Sequence, residues 1–291
     1  MEEFSFQALG TSWSVTLDGG VLDTKEKQEL LQFVSDFENR FSRFIATSEV
    51  NQFRNTDAGE FQISLELSEM LKTANILREL TQGVYDPAVA MLLEHAGYDS
   101  KYSLTPTGKI EGYKMNSWSV RGNTLTISGP VVFDLGGIGK GYCIDKVAEF
   151  LKKQNHQYFL VEAGGDMYAT EKKDGSGFLV ALEWPGKPDI AYGTLELQNA
   201  GFAASDTFRR RWKDWHHIIN PITKKPIQKV IGCAAVAPSA FFADCMTSGL
   251  FLSDQQVQYV KIAQEFKGEY VVFTEDENIQ VSKSWPGVLF S

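Results

Sequence analysis

The sequence predicts an α+β fold, and three observations carry that prediction. Strand-like runs rich in β-branched and aromatic residues are interspersed with helical runs along the whole chain, without a repeat, a linker or a low-complexity tract. A hydrophobic content of 43% over 291 residues is ample for a real core. Between Val131 and Asp145 the residues Val-Val-Phe-Asp-Leu-Gly-Gly-Ile-Gly-Lys-Gly-Tyr-Cys-Ile-Asp run from a strand pattern ending on Asp134, through a turn, into a helix with Val147, Ala148 and Leu151 on one side.

The chain opens with an alternating stretch, Phe4 to Leu17, that reads as one strand or a bent pair around Gly10-Thr11, closed by an Asp18-Gly19-Gly20 turn. Thr24 is placed to cap a helix through Leu30, Leu31, Val34, Phe37 and Phe41. Phe41-Ser42-Arg43-Phe44 and the polar Ser48-Glu49-Val50-Asn51 follow, either as a capped turn or as a ligand-facing loop with Phe44 as a stacking ring. Ser68 to Leu80 reads as a second helix, broken by Gly83-Val84-Tyr85-Asp86-Pro87, where the proline forces Asp86 towards extended geometry. A short helix over Ala88 to Leu93 precedes a polar, turn-rich stretch over 97–123.

Leu125 to Ser128 and Val131 to Phe133 read as successive strands before the glycine turn, and Tyr158 to Val161 as another, running into a second glycine turn, Glu162-Ala163-Gly164-Gly165-Asp166. Phe178 to Trp184 and Gly193 to Leu197 are strands on either side of a loop from Pro185 to Pro188. Gly201 to Ser205 leads into a local basic cluster, Phe208-Arg209-Arg210-Arg211-Trp212, and Trp215-His216-His217-Ile218-Ile219-Asn220-Pro221 reads as a strand ending in a turn. Ile231 to Ala237 is a strand, Pro238-Ser239 starts a helix over Ala240 to Leu252, and a final helix over 254–266 precedes strands at Tyr270 to Thr274 and Ile279 to Val281.

The four glycines at 136, 137, 139 and 141 let the backbone approach a ligand closely and aim amides at anionic oxygens, which points to a phosphate-bearing ligand. Neither common nucleotide loop is present: Lys140 is followed by Gly141 rather than Ser or Thr, and Tyr142 stands where the dinucleotide fingerprint needs its last small residue. A close strand-to-helix crossing would need the same small residues with no ligand at all.

A formal charge of -9 with dispersed Lys and Arg argues against nucleic acid, and means that an anionic substrate needs local basic groups or a metal. Cys143, Cys233 and Cys245 form no C-x-x-C pair, which suits a reducing compartment. No stretch approaches membrane-spanning length and the acidic opening residues lack the order of a secretion signal, so the expected location is the cytoplasm.

The helix Ala240 to Leu252 is apolar almost all round, hence buried, yet carries Asp244 in its middle. Thr247 and Ser248 stand three and four residues on, so a carboxylate and two hydroxyls form an oxygen-only partial shell suited to Mg²⁺. Backbone amides or an arginine could equally satisfy Asp244. His216 and His217 on a strand face opposite ways and cannot share a metal; one could be a general base, or both could be structural.

In their order along the chain, Gly10-Thr11, Ser42 to Asn51, Gly83-Val-Tyr-Asp-Pro, Asp134-Leu-Gly-Gly-Ile-Gly-Lys-Gly-Tyr, Ala163-Gly-Gly-Asp, His216-His-Ile-Ile-Asn-Pro and Ala243-Asp244 with Ser248 resemble the FAD:protein FMN transferase family, also called ApbE-like, from about residue 5 to 290. The resemblance implies one domain over 1–291 with mixed, largely antiparallel sheets flanked by helices. It implies Mg²⁺-dependent cleavage of FAD, with FMN joined to a Thr or Ser hydroxyl of an acceptor protein and AMP released. Matching positions place metal at Gly137, Asp244, Thr247 and Ser248, and FAD at Leu9, Phe44, Asp86, Pro87, Ala88, Asp134, Lys140 and Ile218. His217, with Asp244, would be catalytic, His217 as the general base.

The sequence departs from the family pattern at Asp206, where Gly is usual, at Arg209, where an acidic residue is common, at Asn220 for Asp, at Lys224 for Gly, and at Ser248 for Thr. A metal-dependent FAD pyrophosphatase and a non-catalytic flavin-binding protein are the competing readings.

Overall fold

The structure is a computed structural model that describes residues 1–291 except Gly108, Lys109, Arg209, Arg210, Asp254, Glu277 and Ser291. Its centre is an eight-stranded sheet in the spatial order β1 (Glu2–Ala8), β2 (Thr11–Leu17), β6 (Phe159–Ala163), β7 (Asp166–Ala169), β10 (Ala200–Asp206), β15 (Val230–Ala237), β16 (Glu269–Thr274) and β17 (Ile279–Val281). A three-stranded sheet joins β3 (Gly59–Gln62), β5 (Thr124–Ile127) and β4 (Trp118–Arg121), and another joins β18 (Val288–Leu289), β9 (Lys187–Leu197) and β8 (Phe178–Trp184). Two short ladders pair β11 (Arg211–Trp212) with β12 (Trp215–His216) and β13 (Ile219–Asn220) with β14 (Lys225–Pro226). The main-sheet pairings are antiparallel, as in the smaller sheets.

The helices are α1 (Thr24–Phe41), α2 (Leu65–Leu80), α3 (Ala90–His95), α4 (Gly139–Lys153), α5 (Ala240–Phe251) and α6 (Gln256–Phe266). The largest apolar cluster, with Trp13, Leu71, Phe133, Ile144, Phe159 and Met246, joins residues of the main sheet to residues of α1, α2, α4, α5 and α6. A second cluster packs Phe178, Val180 and Leu182 of β8 on Met167, Phe202, Ala234 and Phe273 of the main sheet. β8 alternates buried and exposed residues because it has one covered face. β15 is buried almost throughout, as a central strand must be when α5 covers one face and β8 and β9 the other.

Several local expectations change. The cap of α1 is Asp23, whose carboxylate accepts from Glu26 N in a capping box, and Thr24 is the first helical residue. Ser64 caps α2, which starts at Leu65. Val131–Phe133 is buried but belongs to no sheet: Val131 N donates to Phe53 O (3.1 Å) and Asp134 N to Pro87 O (2.7 Å), so loop carbonyls replace a strand partner. The expected single strand Trp215–Pro221 is divided between β12 and β13. The loop after Trp184 shrinks to a tight turn, and β9 starts at Lys187.

Residues Ala200 to Asp206 form a central strand despite weak strand composition. A Cβ on Gly201 would collide with the Ser239 and Ala240 backbone, so smallness is what lets α5 start directly over β10.

Candidate functional site

The glycine stretch places four elements against one another. Ile138, which precedes α4, offers no side-chain cap, and the first-turn amide of Gly141 donates instead to Asp244 Oδ2 on α5 (2.9 Å). Asp145 of α4 returns the arrangement, its two carboxylate oxygens accepting from Ala240 N and Phe241 N at the start of α5 (both 2.9 Å). A Cβ on Gly141 would run into the Ala240 carbonyl and Asp244 Cβ, and one on Gly137 into Ser248 Oγ. The close crossing and a polar site are therefore consequences of the same glycines. Gly137 O accepts from Ser248 Oγ at 2.6 Å.

Gly137, Asp244 and Ser248 line a cavity of about 760 Å³ together with Phe44, Asp86, Pro87, Asp134, Lys140, His217 and Ile218. A second cavity of about 540 Å³ is lined by Leu9, Arg43, Phe44, Tyr98, Tyr102, Asp134, Lys140 and Trp212, and the two share Gly10, Phe44, Tyr98, Asp134, Gly136 and Lys140. Leu9 lies on the second cavity, its backbone in the left-handed region at φ 51°. Ala88 and Thr247 line neither: Ala88 is buried with its amide on Asp86 Oδ1 (2.9 Å). Thr247 is fully buried, donating to Asp244 O (2.9 Å) and accepting from Ser205 Oγ (3.4 Å). Spacing on the helix groups Thr247 with Ser248, but the structure turns Thr247 towards β10 and Ser248 towards Gly137.

Burial pushes the Asp244 carboxyl up to about 7, with Lys140 and the Gly141 amide pulling it down and Asp166 and Asp145 pushing it further up. Lys140 Nζ pairs with Asp166, a buried carboxylate that also accepts from Ala204 N (3.3 Å). A buried carboxylate held near neutrality, with a carbonyl and a hydroxyl on the same cavity, is an oxygen-only donor set fitting a hard divalent cation. Among the described residues no group of three or more His, Cys, Asp and Glu side chains gathers as an alternative.

The adjacent histidines separate. His216 is buried, with Nε2 on Ile227 O (2.7 Å) and Nδ1 accepting from Ile218 N (3.2 Å), and burial lowers its pKa. His217 faces the cavity, its ring 6.4 Å from that of Tyr98. Phe44 is already engaged: Tyr102 stacks on it at 5.3 Å and the Arg43 guanidinium lies 4.2 Å from its centroid. Asp86, extended at φ -152°, caps the turn at Pro87–Val89 and accepts from Trp118 Nε1 (2.9 Å), so it shapes the wall as well as lining it.

Residues 9–272 match the model of a family described as the ApbE family. The chain belongs to that family. It is 27% identical to an FAD:protein FMN transferase of Haemophilus influenzae, over 96% of this chain and 88% of that protein. It is 26% identical to one of Vibrio cholerae, over 92% and 86%. The solved flavin transferase ApbE from Vibrio cholerae superposes with a TM-score of 0.82 at 23% identity, covering 98% of both chains. The ApbE protein from Thermotoga maritima gives 0.83 at 23%, covering 98% of this chain and 97% of that one. At such identities the superpositions establish the ApbE fold.

Two of the departures from the ApbE pattern, Asn220 and Lys224, fall in local turns. Asn220 Oδ1 accepts from Ile222 N (2.8 Å) and Thr223 N (3.1 Å), a turn that Asp would also make. Lys224 adopts φ 58°, a conformation glycine takes without strain. Asp206 lines the cavity and accepts from Phe208 N (2.7 Å), while Arg209 lies outside the described residues. Sequence reading named no role for Asp166, although its Ala-Gly-Gly-Asp turn is part of the resemblance, nor for Arg43, Tyr85 or Tyr98. Tyr85 lines the cavity with its hydroxyl buried, and that hydroxyl has no hydrogen-bond partner among the described residues.

No helix among the described residues is long and apolar enough to cross a membrane.

Proposed function

We propose that this protein, as one domain over 1–291, transfers FMN from FAD to a Thr or Ser hydroxyl of an acceptor protein in a Mg²⁺-dependent reaction that releases AMP. That it is a transferase of the flavin-transferring ApbE kind follows from the family match and from relatives named FAD:protein FMN transferase. The observation that carries the finer reading is the meeting of Lys140, His217, Asp244, Ser248 and Gly137 around one cavity, with Phe44, Asp86, Pro87, Asp134 and Ile218.

In this reading the acceptor oxygen attacks the phosphorus of the FMN half, the bond to the AMP oxygen breaks, and the hydroxyl proton passes to His217. Because Nδ1 of His217 is buried, Nε2 is the nitrogen that takes it. Lys140, oriented by Asp166, offsets charge on the pyrophosphate, and Leu9 and Phe44 contribute apolar surface for the ring systems. Gly137 O, Asp244 and Ser248 Oγ would hold Mg²⁺, with Thr247 supporting Asp244 from behind. When bound, the cation supplies charge stabilisation to the pyrophosphate oxygens. Ala88 acts through its amide on Asp86.

Incubation with FAD and Mg²⁺, with and without a candidate acceptor, tests this. AMP release that depends on acceptor, together with an acceptor mass increased by FMN, is expected. AMP without acceptor would instead identify a pyrophosphatase, and no AMP in either case a flavin binder.

A further inference from the structure

We propose that Arg43 is a positioning residue of the flavin site, acting by neutralising and aligning Asp134; the inference rests on the FAD reading above. The Arg43 side chain is only 2% exposed and its Nε donates to Asp134 Oδ2 at 2.7 Å. Nη2 donates to Tyr98 O at 2.9 Å, and the guanidinium lies 4.2 Å from the Phe44 ring centroid and 4.8 Å from that of Tyr98. Two aromatic rings and a carbonyl thus fix the plane of the fork, and the carboxylate takes the orientation the fork dictates.

The consequence reaches the site. Asp134 and Phe44 line both cavities, whereas Arg43 lines only the smaller. The other Asp134 oxygen accepts from Gly136 N (2.7 Å), which sets the loop immediately before the Gly137 carbonyl. Arg43 is itself braced: Asn51 Nδ2 donates to its carbonyl (2.7 Å). Nη1 lies 3.9 Å from Glu94, a carboxylate gripped by both Nη atoms of Arg54 at 2.7 Å.

FAD brings a negatively charged pyrophosphate into a cavity that already contains Asp134. With Arg43 in place the carboxylate is neutralised and held. Without it, a part-buried anion is left to repel the substrate and free to reorient, since breaking one side of such a pair leaves the other charge uncompensated. Arg43 therefore acts on substrate affinity more than on the chemical step.

The test is a double-mutant cycle read by calorimetric titration of FAD without Mg²⁺ or acceptor, with thermal melting as a check on folding. Arg43→Met is expected to weaken FAD by at least about tenfold, and in turnover to raise KM with kcat within about threefold. Because the loss arises from the exposed charge of Asp134, Arg43→Met/Asp134→Asn should bind FAD within about threefold of Asp134→Asn alone. Arg43→Lys, which keeps the charge but not the fork, should fall between wild type and Arg43→Met. Wild-type affinity in folded Arg43→Met, or a double variant as much weaker than Asp134→Asn as Arg43→Met is than wild type, overturns the proposal. Should Arg43→Met fail to fold, the comparison of the double variant with Asp134→Asn decides alone. Wild-type protein that gives no heat with FAD would overturn the FAD site itself.

Discussion

Asp145 and Asp244 cap each other's helices: Asp145 on α4 accepts two amides at the start of α5, while Asp244 on α5 accepts the Gly141 amide in the first turn of α4. Asp244 is buried and Asp145 half-buried, each is pushed up by the loss of water around it, and each is offset by backbone amides of the other helix. The crossing that brings Asp244 into the cavity is therefore fixed by the residues that make it costly to bury.

Gly141 makes that crossing possible. A Cβ there meets the Ala240 carbonyl and Asp244 Cβ, backbone and helix stem that cannot swing aside, so Gly141→Ala is expected to cost about 3 kcal/mol, the upper range for overpacking. Gly139→Ala would meet only Leu135 Cβ at 3.4 Å, ordinary contact, and should be within about 0.5 kcal/mol of wild type. Urea denaturation midpoints of the two variants decide the point, and equal midpoints would contradict it.

Asp244→Asn should stabilise the metal-free protein. The folded carboxyl titrates at about 7 against 3.8 for the ordinary group, so the folded state holds the proton more tightly than the unfolded state. Stability is then full below pH 3.8, falls as pH rises, and levels off above about 7. The variant should melt several degrees higher than wild type at pH 8 without divalent cation, with the difference shrinking towards pH 4. Added Mg²⁺ should raise the melting temperature of wild type and leave the variant unchanged.

The sequence made the residues that meet in this corner legible because their signals are local. A buried helix with a central Asp, a glycine run before a helix and a His-His pair on extended chain each announce themselves by spacing. What it hid depends on contacts across the chain. Nothing in the residues around Asp145 or Arg43 announces a role, because their partners, the start of α5 and Asp134, come from 95 and 91 residues away. β10 was missed because packing under α5 selects small residues, which erases the β-branched signature of a strand. Val131 to Phe133 misled in the opposite direction, its apolar run reflecting burial rather than strand pairing.

His216 and His217 should separate by assay. His217→Gln is expected to lower transfer at least about a hundredfold, the usual worth of a general base, with melting temperature and FAD binding unchanged. His216→Ala should instead destabilise by about 1–3 kcal/mol through the orphaned Ile227 carbonyl. Burial holds His216 below its ordinary 6.5, so its neutral form stabilises the fold above that pH and the contribution is lost as pH falls towards the folded value. The melting temperature of His216→Ala should therefore fall less than wild type between pH 7 and pH 5. Retained transfer in His217→Gln would remove the base assignment.

Ser248 supplies the last test, because it separates a hydroxyl that packs from one that binds a cation. Its Oγ donates to Gly137 O at 2.6 Å, and it is half-buried on the cavity, whereas Thr247 is enclosed. If Oγ also serves as a cation ligand, Ser248→Ala should weaken the Mg²⁺-dependent rise in melting temperature and lower turnover by about ten- to a hundredfold, as loss of one supporting group at a metal site does. Ser248→Thr keeps the oxygen and should retain both. The metal-free melting temperature of Ser248→Ala should fall by only about 1 kcal/mol worth of stability, since one neutral hydrogen bond is lost. Titrating Mg²⁺ against all three proteins by thermal melting gives the answer, and an undiminished shift in Ser248→Ala would remove Ser248 from the metal site while leaving Asp244 and Gly137 to be tested separately.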